Sequence, residues 1–400
     1  MLRSFLHQLL SPRHPWRKVN FSELSEMYIA GFLKMFAQGL IGVFIPLYLL
    51  KNGFALQAIF VYYAVLYMFT ILFDLVSARL TARFGPKHVM RLGFFLQFVV
   101  AILLSQLHVL PAPLLIIPFV HAASAAFYWL PYHVDFSKIK HVHHSGKEIS
   151  WLNAMEKVGG VLGPLVGGLL ATFFGGVTLF YAAALVLAIA VIVLMLSPEP
   201  MQTKQKLSYA HLFTLKDWHA TVSNTAFITE NSLSILLWPI FLASVVFTTG
   251  SYLKIGSIAS ISVIFAMFAA LPLGRLLDKT KGYKMIRFGT VINSLLHMSR
   301  LLVTNYTGAA LVAVANEPNT LIYRLAYLKG YYDSADDFPG QRIAYIARNE
   351  MVAHSFCLII WTTLALLAGA LSAHTVCMVG FGMAAVLSLI VRTERYRALR

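Results

Sequence analysis

The chain has 400 residues, 58% of them hydrophobic and only 12% charged, with a formal net charge of +16. A soluble globular chain carries roughly 25% charged residues, so the deficit argues for a lipid solvent and leaves little length for a soluble domain. A GxxxxGK stretch is absent (Gly146–Lys147 lacks the upstream glycine), which excludes nucleotide hydrolysis by a Walker-type loop.

Residues 1–21 are basic with short apolar patches and lack the continuous apolar core and cleavage site of a signal peptide. They are expected to lie as a cytoplasmic amphipathic segment on the membrane surface. A transmembrane helix needs about 20 mostly apolar residues. Such stretches occur near 25–50, 56–82, 88–107, 112–133, 149–173 and 176–196, and again near 220–246, 252–277, 284–303, 307–328, 342–371 and 374–392. The polar stretch from Ser197 to Trp218, with Pro198 and Pro200, separates two sets of six. The expected units are a six-helix bundle over 22–196, a cytoplasmic linker over 197–218, a second six-helix bundle over 219–392 and a cytoplasmic tail over 393–400.

Most of the 32 lysines and arginines fall in the termini and in the loops after even-numbered helices. That bias sets both termini in the cytoplasm and accounts for the positive charge without a nucleic-acid partner. The plasma (inner) membrane is the expected location. Cys357 and Cys377 both lie in apolar runs and read as packing residues.

The two sets repeat at an offset of about 194 residues. Gly146, Ile149, Trp151 and Glu156 match Gly340, Ile343, Tyr345 and Glu350. Tyr128 and Tyr132 match Tyr323 and Tyr327, Gly85 and Lys87 match Gly282 and Lys284, and Pro46 matches Pro239. Six-helix repeats of the same orientation imply two bundles related by an axis along the membrane normal.

One loop carries a family resemblance. Leu80, Arg83, Gly85 and Lys87, between the second and third spans, fit a G-x-L-x-D-R-x-G-R-K pattern, with Ala78 and Ala82 replacing its first glycine and its aspartate. The second copy has Gly274, Asp278, Gly282 and Lys284, with one extra residue before the glycine. With the helix count and the repeat, this loop resembles the major facilitator superfamily. The resemblance implies an all-α integral membrane protein of twelve transmembrane helices in two pseudo-symmetric six-helix bundles, gated in part by the loop residues Arg83, Gly85, Lys87, Gly274, Asp278, Gly282 and Lys284. Ala82 suggests that the first latch is weakened or uses Asp74 instead. Gly163, Pro164, Gly167 and Gly168 in the fifth span resemble the G-P-x-x-G-G stretch of family exporters. Close helix packing alone gives the same residues.

An ionisable group inside a span faces a cavity or a partner. In the family, helices 1, 4, 7 and 10 line a central cavity and helices 5 and 11 border it. The resemblance therefore places Lys34, Gln38, His121, Tyr128, Asn231, Asn316 and Tyr323 at a substrate site. Glu230 and Glu317 come first as proton-coupling residues, followed by Glu156 and Glu350. Each could equally form a structural pair, for example with Lys34. Glu350 and His354 are four residues apart and can meet on one helical face. The loop histidines His141, His143 and His144 read as solvated rather than as a metal site.

The expected function is secondary transport of a small polar or amphipathic organic solute by alternating access, proton-coupled, with efflux ahead of uptake. A lipid or lipid-linked translocase and a non-transporting scaffold or receptor are the alternatives. No enzymatic motif, cofactor or metal is expected. The expected partners are the substrate, protons and membrane lipids, and the expected state is a monomer.

Overall fold

The computed structural model describes residues 21–139, 146–195, 207, 217–247, 249–279, 282–336 and 341–400, with side chains for all except 21–27, 136–139, 146–154, 194, 270–279, 336 and 398. The N-terminal segment up to residue 20, nearly all of the linker, and His141, His143 and His144 lie outside the described residues.

The chain forms α1 (Phe21–Ile41, resuming as Ile45–Lys51), α2 (Leu56–Phe84), α3 (Pro86–Ser105), α4 (Pro113–Ile139), α5 (Gly146–Phe174), α6 (Val177–Met195), α7 (Trp218–Phe241), α8 (Ser251–Lys279), α9 (Gly282–Ser299), α10 (Tyr306–Asp336), α11 (Arg342–Ala368) and α12 (Ala373–Ile390). Among the described residues nine helical segments are long and apolar enough to cross a membrane, and α6 is a shorter apolar helix. The other two, α9 and α10, carry much of the polar chemistry described below.

The prolines explain where helices depart from regularity. α1 was expected as one run over 25–50, but a turn at 42–44 interrupts it just before Pro46. Proline has no N–H with which to continue the helical ladder. Its repeat mate Pro239 lies near the end of α7 and is followed by a π-helical turn, Leu242–Val246.

Helix packing repeats as the sequence does. α1 packs on α5 and α6, α3 on α4 and α6, and α2 on α4. In the same way α7 packs on α11 and α12, α9 on α10 and α12, and α8 on α10. Two long seams join the sets: α2 lies along α11, and α5 along α8. The architecture is thus the expected one, all-α with twelve membrane helices in two pseudo-symmetric sixes. Large apolar side chains such as Leu72, Phe95, Leu185, Ile192, Phe288 and Leu295 are exposed on its outside, as hydrocarbon requires.

The seams differ in chemistry. Along α5–α8 the backbones nearly touch: a Cβ on Gly256 would lie 2.4 Å from the Pro164 carbonyl oxygen, and one on Gly168 2.9 Å from that of Tyr252. On α1, a Cβ on Gly163 would lie 2.6 Å from the Phe36 oxygen, and one on Gly167 2.9 Å from that of Leu40. Small residues permit this close approach, so Gly163, Pro164, Gly167 and Gly168 are engaged as packing on α1 and α8. The α2–α11 seam is aromatic and polar. Trp361 stacks near Tyr63 and Phe60, with ring centroids 4.9 and 5.7 Å away, and its indole donates to Ser232 Oγ at 2.9 Å.

The expected gating loops are placed in part. Gly85 makes the turn between α2 and α3 with φ 93°, a region that favours glycine. Arg83 and Lys284 are exposed and Lys87 is buried, whereas the side chains of Gly274 and Asp278 lie outside the described set. Gly282 is held against the C-terminal segment, since a Cβ there would lie 2.6 Å from Leu399 Cδ2. That segment, expected as a simple cytoplasmic tail, is packed. Tyr396 and Leu399 are buried, and the Tyr396 hydroxyl donates to Tyr327 Oη at 2.9 Å. α10 runs to Asp336, beyond the expected end near 328.

Candidate functional site

With no water in the bilayer core, polar groups on the inner helices must find partners within the protein. Among the described residues an extended network of this kind fills the bundle α7–α12. Glu230 of α7 is 2% exposed. Its Oε1 accepts from Asn293 Nδ2 at 2.9 Å and lies 2.7 Å from His297 Nε2, both on α9, while its Oε2 accepts from the Tyr323 hydroxyl of α10 at 3.0 Å. Arg300, in the short turn after α9, is 2% exposed and folds inward. Its Nη1 donates to His297 Nδ1 at 3.2 Å, and its Nη2 donates to Ser234 Oγ at 2.9 Å and Asn316 Oδ1 at 3.1 Å. The guanidinium lies 5.2 Å from the Trp238 ring and 5.5 Å from that of Phe381.

The bundle α1–α6 holds its own buried charge. Lys34, 3% exposed, hydrogen-bonds to Gln97 of α3 and stands 4.4 Å from the Tyr128 ring and 5.4 Å from the Phe94 ring. Among the described residues no carboxylate is paired with Lys34, the structural alternative read from the sequence. Amide and aromatic faces take its place, cation–π contacts being stronger when desolvated. His121 Nδ1 pairs with the Tyr62 hydroxyl at 2.9 Å within the same bundle. The expected substrate-site residues Lys34, Tyr128, Asn316 and Tyr323 are therefore buried inside bundles.

Between the bundles lies a different set. Glu156 and Lys157 of α5 and Glu317 and Arg324 of α10 are half-buried. Lys157 interacts electrostatically with Glu317, Arg324 and Glu156, and Arg324 also acts on Tyr132, His133 and Tyr332. Gln38 and Asn231 are half-buried as well. His133 Nδ1 and the Tyr332 hydroxyl meet at 2.7 Å, linking α4 to α10.

On the α2–α11 seam, Asp74 Oδ2 lies 2.6 Å from His354 Nδ1, and Glu350 Oε2 lies 3.9 Å from His354 Nε2. The expected meeting of Glu350 and His354 thus occurs, with Asp74 as the closer partner. Tyr67, whose ring centroid is 5.6 Å from that of His354, donates to Ser232 Oγ of α7 at 2.7 Å. A recess of about 490 Å³, between the end of α1, the α5–α6 turn and the start of α8, opens at the face opposite the described C-terminus and away from these charges.

Sequence reasoning passed over His297, Asn293 and Gln97 and did not single out Arg300, Lys157 or Arg324 as site residues. Each is polar within an apolar run, and that signal was available. Their mutual proximity was not.

Two bundles closing around charged groups of both signs, across twelve membrane helices, define the architecture of a membrane transporter. Residues 27–322 match the sequence profile of the Major Facilitator Superfamily, and the chain belongs to that superfamily. Two crystal structures of the nucleoside transporter NupG share the fold. A point variant aligns with a TM-score of 0.68 at 12% identity over 92% of this chain and 98% of that one. The other aligns with a TM-score of 0.65 at 13% identity over the same shares. No curated sequence matches the chain.

Proposed function

We propose that this protein is a secondary transporter that moves a small polar or amphipathic organic solute by alternating access, coupled to protons. The observation that carries the reading is the half-buried quartet Glu156, Lys157, Glu317 and Arg324, contributed by α5 and α10 from opposite bundles. Among the described residues none of the four has a hydrogen bond or close ion pair to another side chain. Charges of both signs held between bundles, influencing one another but not locked in close pairs among the described residues, are suited to a substrate bearing donors and acceptors. Tyr132 borders the same gap, under the influence of Glu156 and Arg324.

Proton coupling would fall to carboxylates among Glu230, Glu317, Glu156 and Glu350, each inside a span. The glycine–proline stretch of α5 packs against α1 and α8, and efflux rests on its resemblance to the exporter pattern alone. The termini are placed in the cytoplasm by the positive-inside bias.

The fold shared with a nucleoside transporter makes uridine and adenosine the first probes. Purified protein in proteoliposomes should exchange a labelled nucleoside by counterflow. Lys157→Gln and Arg324→Gln should each raise the half-saturating concentration about tenfold or more, the scale of a lost charge-assisted hydrogen bond. Failure of a panel of nucleosides, sugars and amino acids to exchange would overturn the reading.

A further inference from the structure

The internal repeat supplies a control for the Glu230 network. Gly93 of α3 presses on the α4 backbone beside Tyr128, and Gly289 of α9 presses on α10 at Tyr323. Four residues on, Gln97 binds Lys34 and Asn293 binds Glu230. Both bundles thus build the same cage of a buried charge, an amide and a tyrosine. Counting onward from the two glycines, His297 corresponds to Ala101 and Arg300 to Leu104, both fully buried. The bundle α1–α6 closes the same corner with apolar side chains, so the fold does not require His297 or Arg300.

We propose that His297 and Arg300 form a proton switch beside Glu230, His297 taking up the proton at Nδ1 and thereby releasing Arg300 toward Glu317. This rests on the proton-coupled transport reading. The geometry fixes the starting tautomer. A guanidinium only donates, so His297 Nδ1 accepts from Arg300 at 3.2 Å. A neutral imidazole then carries its proton on Nε2 and donates to Glu230 Oε1 at 2.7 Å. A proton added at Nδ1 turns acceptor into donor, and the Arg300 bond is lost while the bond to Glu230 remains. Arg300 leaving also gives up its bond to Ser234 Oγ, the Asn293 amide 3.3 Å from Nε2 keeps its bond to Glu230, and the added proton stays on the imidazolium.

Arg300 has somewhere to go. It already donates to Asn316 of α10 and feels the charge of Glu317, the next residue, which lies in the gap. The ionisable groups facing the pair are Arg300, Tyr323 of α10, Glu317 through Arg300, and Cys357 of α11, which donates to Thr229 beside Glu230. From α12, the neutral Ser388 hydroxyl accepts from Asn293.

Arg300 stands over Trp238, so its departure is readable without a substrate. Tryptophan emission of the protein in nanodiscs should change as pH falls from about 8 to about 5, the range in which histidine titrates. The change should vanish in Trp238→Phe, His297→Gln and Arg300→Gln. In proteoliposomes, uptake driven by a pH gradient should fall about tenfold or more in His297→Gln, matching one lost charge-assisted bond. A wild-type change that persists in Trp238→Phe or His297→Gln, or no change at all, overturns the inference. Should His297→Gln fail to fold, wild type against Arg300→Gln and Trp238→Phe decides by the same criterion. Wild-type transport indifferent to a pH gradient refutes proton coupling instead, and the emission titration still separates the two failures.

Discussion

The Asp74–His354 contact joins the two bundles through a group that is 1% exposed on one side and 13% on the other, and its removal has a calculable cost. In His354→Leu the Asp74 carboxylate loses its partner at 2.6 Å while the leucine keeps apolar contact with Tyr67. Removing one member of a buried ion pair costs about 3–5 kcal/mol, chiefly because the other charge is stranded. Asp74→Asn keeps the shape and an acceptor oxygen, exchanging a charge-assisted hydrogen bond for a neutral one, at about 1–2 kcal/mol. The double variant still leaves Glu350 without His354, as the leucine single does, but no longer strands Asp74, so it should be less destabilised than the sum of the singles, by about 1–3 kcal/mol. Unfolding in mixed detergent micelles of increasing SDS content, read by far-UV circular dichroism, gives the four free energies. Two outcomes refute the reasoning: His354→Leu within about 0.5 kcal/mol of wild type, or a strictly additive cycle.

The dry seam gives a steric test. Gly256→Leu must push α8 off Pro164, whose oxygen would lie 2.4 Å from the new Cβ, and should lower stability by about 1–3 kcal/mol or more in the same assay. Gly382→Ala meets nothing within 4 Å and should be neutral or raise stability by up to about 1 kcal/mol. In the buried cage of the first bundle, Lys34→Met exchanges a cation without a carboxylate partner for an apolar chain of similar length. It should leave stability unchanged or raise it by about 1–4 kcal/mol, whereas Glu230→Ala should lower it, as thermal unfolding in nanodiscs would show. At the C-terminus, Tyr396→Ala empties a site walled by Gly330 and Tyr327 and should cost about 3–5 kcal/mol by the same measurement. Burial pushes the Glu394 carboxyl, just past the last span, above its ordinary value against the pull of the Tyr396 amide and of Arg400 and Arg287. A carboxyl raised in the folded state adds stability when protonated. That contribution is present in acid, is lost as pH rises through the folded value, and should disappear from the pH–stability curve of Glu394→Gln.

What could be read from the sequence follows from where the lipid imposes its rule. Hydrocarbon demands about 20 apolar residues per crossing, so the twelve spans and the doubled six-helix plan were legible from residues alone. The interruption at Gly42–Phe44 was signalled by Pro46, yet one long span was expected because apolar length hides a local break. The limits of α10 were misjudged because its later turns are polar. They are buried against other helices rather than facing lipid, as the buried Tyr327, Tyr331 and Tyr332 show.

The site was less legible because a polar residue inside a span declares only that it avoids lipid. It can do so by turning into its own bundle or into the gap between bundles, and helical periodicity does not separate the two. Lys34 and Gln38, one turn apart, show the difficulty. Lys34 is enclosed among α1, α3 and α4, whereas Gln38 is half-buried, with an oxygen that has no hydrogen-bond partner. Glu230 and Glu317 were ranked alike, yet the first is held on α7 by side chains of α9 and α10 and the second stands between the bundles. The missing information is the partner. Glu230 is caged because α9 brings Asn293 and His297 to it, and those residues lie 63 and 67 positions away in the chain. A buried carboxylate and a gap-lining one become distinguishable only when the side chains on the neighbouring helices are known, and Arg300, which touches the cage and senses Glu317, is the residue through which one could inform the other.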